Sequence, residues 1–137
     1  LAPAAEWERY GLDFTARRKT ALLAADLRAL GEADPAARPA CADLPDVGSP
    51  ARAVGCLYVL EGATLGGRVV GPLLERTLGV TPATGGRFFA GYGERTGAMW
   101  RAFGEFVARF TADAGANADA AVAAAGDTFA ALTRGFR

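Results

Sequence analysis

Apolar residues recur along this chain at spacings of three and four, and no stretch alternates with period two for long enough to make a strand, so the pattern predicts an all-α fold. Leu12, Leu22, Leu23, Leu27 and Leu30 fall among alanines and charges, with Gly31 as a stop, which predicts an amphipathic helix over 12–30. A short helical turn carrying Trp7 and Tyr10 precedes it. Prolines 35, 39, 45 and 50 mark a loop from Gly31 with room for one helical turn. Ser49 and Pro50 supply an N-cap and a first helical position for a long apolar helix, which Gly71-Pro72 should kink or end. After the loop TLGVTPATGG, Phe88, Phe89 and Tyr92 stand near the start of the next helical region. Trp100, Phe103, Phe106, Val107 and Phe110 then predict a helix over 94–112, and their aromatic stripe reads as core. A last helix begins at the cap Asn117, with Val122, Phe129, Leu132 and Phe136 on or near one face.

The unusual segment is GCLYVLEGATLGGRVVGP, residues 55–72, which reads as a helix despite five glycines. Each interior glycine costs about 1 kcal/mol relative to alanine. Gly55, Gly62 and Gly66 fall within about 40° of arc on one face. Such a stripe permits either close helix packing or the approach of a large planar ligand to the backbone. The spacing fits neither a dinucleotide fingerprint nor a P-loop. Glu61, Arg68 and Glu75 recur every seven residues and read as a solvated or partner-helix edge, and Arg17-Arg18-Lys19 as a solvated basic face. Arg95 and Arg101 flank the aromatic stripe and could meet an anionic group.

With 137 residues, 51% of them apolar, the chain reads as one domain over 1–137 with enough material for a core. Lys+Arg and Asp+Glu both number 15, which gives no basic surplus for a nucleic-acid partner. Cys41 and Cys56 form no framework and read as reduced thiols in a cytoplasmic protein. The absence of histidine removes the commonest general base and metal ligand and argues against unaided acid–base catalysis. The apolar run around 54–74 is interrupted by Glu61 and Arg68 and falls short of the ~18 uncharged residues of a spanning helix, so no membrane partner is expected. No basic start precedes an apolar core at the N-terminus, and Leu1 as first residue suggests that processing or truncation has removed an upstream segment.

LYVLEGATLGGRVVG (57–71), FFAGYGERTGAMWRAFGEF (88–106) and AAGDTFAALTRGF (124–136) together resemble the heme oxygenases, in particular the bacterial type associated with bacteriophytochromes. RRKTALLAADLRALG adds a weaker likeness. The resemblance implies a helical domain with heme, both substrate and cofactor, held between a proximal helix bearing a histidine and a kinked, glycine-rich distal helix. It implies cleavage of heme to biliverdin, CO and iron with O2 and an electron-donor protein or other reductant, and a bacteriophytochrome as partner. Gly62, Gly66 and Gly67 match the distal glycines that let the backbone approach the oxygen site. Tyr58 and Ala63 match pocket positions, Arg101 a basic residue that pairs with a heme propionate, and Phe129 and Phe136 aromatics lining the pocket. Two features depart from the family. The proximal histidine and its helix have no counterpart, as expected of a sequence beginning inside the domain, and Ala63 stands where relatives carry an aspartate or serine that organises distal water. Other readings are a non-catalytic heme- or tetrapyrrole-binding relative and a helical interaction module of a sensor system.

Overall fold

A computed structural model describes residues 4–39, 41–113 and 118–135. Among them the chain forms helices and 3-10 turns and no strand. The helices are α1 (Ala4–Glu8), α2 (Thr20–Ala29), α3 (Pro50–Leu78), α4 (Arg87–Ala90), α5 (Thr96–Asp113) and α6 (Ala118–Gly135), with 3-10 turns at Thr15–Arg17, Pro35–Ala37 and Gly93–Arg95. The 29-residue α3 is the central element and packs on α4, α5 and α6.

The entry to α3 follows its sequence signals. The Ser49 hydroxyl accepts from the Arg52 amide at 3.3 Å and Pro50 occupies the first turn. The helix does not end at Gly71-Pro72: it runs on to Leu78 and stops on Gly79, whose φ of 65° provides a left-handed cap. Pro72 removes one backbone bond at an exposed turn and leaves the rest of the ladder intact. By length and composition α3 could cross a membrane, contrary to the expectation drawn from Glu61 and Arg68. Its first half is packed as a core helix, with Val54, Leu57 and Val59 all buried.

The helix expected over 12–30 is shorter than its apolar spacing suggested. It divides into the turn at Thr15–Arg17 and α2 from Thr20, because Arg18 takes an extended ψ of 123°. That break lets Leu12 enter the core and turns Arg17 inward, where it is 6% exposed. The core joins Trp7, Leu12, Val54 and Leu57 to Phe103, Phe106 and Phe110 of α5, so the aromatic stripe is buried as its spacing indicates. Cys41 and Cys56 are both free. The cap Asn117 lies outside the described residues.

Candidate functional site

The glycines of α3 do two different things, and they divide by what a Cβ would meet. At Gly55 it would lie 2.1 Å from the Ala121 carbonyl oxygen, and at Gly67 2.2 Å from that of Phe89. Both are far inside ordinary contact, so these positions admit only glycine if α6 and α4 are to stay where they are. At Gly62 the nearest atom is the rim of Trp100 at 3.8 Å, and at Gly66 nothing lies within 4 Å. Close packing therefore explains Gly55 and Gly67, whereas Gly62 and Gly66 form an open strip of backbone. Gly67 departs from the expectation that it shares the ligand face, because it is buried on the other side of the helix.

The open strip has an aromatic flank. The Tyr58 ring, 46% exposed, lies 5.6 Å from that of Trp100 and 6.4 Å from that of Phe103. Tyr58, Gly62 and Trp100 are thus brought together, with Arg101 next along α5. Arg101 is exposed and makes no ion pair or hydrogen bond among the described residues. Ala63 is exposed beside Gly62 and offers only a methyl group.

Phe129 is not brought to this strip. Gly55 meets Ala121 while Arg52 pairs with Asp127 at 2.9 Å, so α6 runs antiparallel to α3 and carries Phe129 toward the start of that helix. Ten residues separate Arg52 from Gly62, about 15 Å along the axis. Phe129 is 58% exposed there, and Phe136 lies outside the described residues. Two cavities of ≈ 410 Å³ occur elsewhere, one beside Arg9 and Tyr10, the other against Gly67, Pro72 and Phe89. The Gly62–Gly66 face is an open surface and belongs to neither.

Behind the strip lies a cluster that the spacing of charges did not reveal. Glu61, expected on a solvated or partner-helix edge, is 2% exposed. Arg17 pairs with its Oε2, the Lys19 ammonium donates to Oε1 at 2.7 Å, and the Tyr92 hydroxyl donates to the same oxygen at 2.7 Å. Arg17 also donates to the Met99 carbonyl at 3.1 Å and lies over the Phe103 ring. Two members of the supposedly solvated basic face are therefore partners of a buried carboxylate, which needs such donors in a low-dielectric interior. Arg68 and Glu75 are exposed as expected. Burial, and secondly the hydrogen bond to Glu61, push the Tyr92 hydroxyl well above its ordinary 10.0. The signal available in the sequence was the register of Glu61 with Leu57 and Val54, at helical spacings on a buried face.

The strip fits a flat, largely apolar group, with bare backbone for the plane and aromatic rings for an edge. Among the described residues no three His, Cys, Asp or Glu side chains gather as a metal site, and the 137 residues contain no imidazole. A family model described as heme oxygenase matches residues 18–137. A heme oxygenase from Xanthomonas campestris pv. campestris (strain 8004) is 37% identical over 105 residues, which cover 76% of this chain and 59% of the relative. The match thus spans less than two thirds of that relative's length. No solved structure matches the chain significantly.

Proposed function

The chain belongs to the heme oxygenase family, and from that premise we propose that it supplies the distal face of a site that cleaves heme to biliverdin, CO and iron. In this reading O2 and an external reductant or electron-donor protein are the co-reactants, and residues 1–137 act as one helical domain in the cytoplasm. The likeness of LEGATLGG to the bacterial type supports a bacteriophytochrome as the consumer of biliverdin. The observation that carries the proposal is the open backbone at Gly62 and Gly66 beside Tyr58 and Trp100.

Heme, when bound, supplies iron that activates O2 against the macrocycle itself. The chain supplies placement. Gly62 and Gly66 leave room for close approach to the helix backbone, and Tyr58 and Trp100 limit sliding along one edge. Arg101 offers its cation to a propionate at the rim. Ala63 has no polar side-chain atom, so water on this face is held by backbone and neighbouring groups. Gly67 acts from behind by keeping α3 against α4, whereas Phe129 lies toward the start of α3, away from the strip.

Titration of the chain with ferric hemin tests this directly. Saturation at one hemin per chain is expected, without the spectrum of an imidazole-ligated complex. Gly66→Leu, whose isobutyl group would occupy the oxygen side, should suppress biliverdin formation far more than hemin affinity in protein competent for turnover. Failure to saturate, or native turnover by Gly66→Leu, would refute the assignment of this face.

A further inference from the structure

The open strip is backed, on the far side of the same helix, by a single run of chain. At 100° per residue, Glu61, Thr64 and Gly67 centre about 180° from Gly62 and Gly66. Segment 87–95 meets all three in order. The Tyr92 hydroxyl binds Glu61, a Cβ at Gly91 would stand 2.4 Å from the Thr64 methyl, and the Phe89 carbonyl closes on Gly67. The segment is itself anchored at its start, where Asp26 accepts from the amides of Arg87 and Phe88 at 2.9 and 2.6 Å. A strip without side chains cannot fix its own rotation or height by packing, so its placement has to come from the opposite face.

We propose that Glu61 is a positioning residue for the ligand face. Its carboxylate ties the turn before Gly62 to the chain around Arg17 and Lys19 and to Tyr92, and so sets how far the glycine backbone stands toward bound heme and how the macrocycle is turned against it. The proposal rests on the heme oxygenase reading. Three donors from two separate parts of the chain meet on one carboxylate that is 1% exposed, and a fourth bond runs from Arg17 to α5. This joins the glycine helix to the turn before α2, to the α4 segment and to the helix that carries Trp100. The surplus of donors gives the turn one allowed rotation, because a rotated Glu61 would leave buried Arg17 and half-buried Lys19 without their partner.

Tyr92→Phe is the cleaner probe, since it deletes one hydroxyl and leaves both cations on Glu61; Glu61→Gln is the stronger one. Two readouts are needed. In the hemin-free chain, amide exchange at Gly62–Gly67 should quicken roughly tenfold in Tyr92→Phe while the amides of α5 keep parent rates. In the cyanide-ligated ferric hemin complex, the pattern of heme proton resonances, which responds to the rings and backbone packed against each edge of the macrocycle, should change in Tyr92→Phe. Parent exchange rates and a parent resonance pattern would overturn the proposal. Faster exchange with a parent resonance pattern would overturn it too, since the cluster would then serve the fold alone. If Glu61→Gln fails to fold, Tyr92→Phe still decides. Failure of the parent to bind hemin would instead defeat the functional reading, and the exchange data would then report only on the cluster's hold over the helix.

Discussion

Adjacent glycines at 66 and 67 should respond in opposite directions to the same small substitution. Alanine at Gly66 meets no atom within 4 Å, so its effect is the removal of a helix penalty, a gain of about 1 kcal/mol. Alanine at Gly67 brings the same intrinsic gain but places Cβ 2.2 Å from the Phe89 carbonyl oxygen, where ordinary contact begins at 3.4 Å. The neighbour would have to retreat by more than 1 Å, and it is backbone held by the two amide bonds to Asp26. Overpacking of this kind costs about 1–3 kcal/mol, and the upper part of that range applies when backbone has to move, so the net loss is about 1–2 kcal/mol. For a chain of this size roughly 3–5 °C accompanies each kcal/mol, which puts the two variants roughly 10 °C apart in thermal unfolding followed by far-UV circular dichroism. Gly55→Ala, with Cβ 2.1 Å from the Ala121 carbonyl oxygen, should fall with Gly67→Ala. If Gly67→Ala melts with Gly66→Ala or above the parent, the division of the glycines into a packed pair and an open pair is mistaken.

Arg101→Ala should weaken hemin binding by about fivefold or less, because a rim ion pair is partly solvated, and Arg101→Lys should recover most of that affinity with looser orientation. Unchanged binding and an unchanged biliverdin isomer ratio in Arg101→Ala would leave Arg101 as a solvated helix residue. The raised Tyr92 hydroxyl predicts a pH effect of definite sign. The folded state holds this proton more tightly than the unfolded one, so its contribution to stability is intact below the ordinary value of 10.0 and is lost as pH rises above it. Unfolding temperature should therefore fall more steeply above pH 10.0 in the parent than in Tyr92→Phe, and parallel curves for the two proteins would argue against the buried bond to Glu61.

The sequence made the helix-level description legible because helical periodicity, caps and breakers are local properties. Ser49-Pro50, the turn after Gly31 and the stripe ending at Phe110 needed no knowledge of the rest of the chain. The candidate site was suggested by LEGATLGG, yet spacing on a wheel could not sort its glycines, because Gly55 and Gly67 are explained by carbonyls contributed from residues 121 and 89. Glu61 was misplaced for a related reason. A seven-residue recurrence with Arg68 and Glu75 shows which charges stack along a helix, whereas burial depends on whether another segment arrives, and here the partners come from 17, 19 and 92. The helix expected over 12–30 begins only at Thr20 because turning Arg17 inward required an extended residue at Arg18, a demand set by Glu61 more than forty residues later.

The division of the glycines also bears on when α3 can form during folding. Five glycines remove about 5 kcal/mol of intrinsic helix stability from one 29-residue segment, which leaves it a poor nucleus. Two of those same glycines are the points at which α6 and α4 lock on, so the feature that delays the helix also admits the partners that complete it. Secondary structure and docking are consequently a single cooperative step in this region, joined by contacts more than twenty residues apart in sequence. A ligand laid on the open strip would act on that step from the outside: it would select a helix that assembly has to make, and its binding energy would appear in the stability of the entire α3–α4–α6 unit.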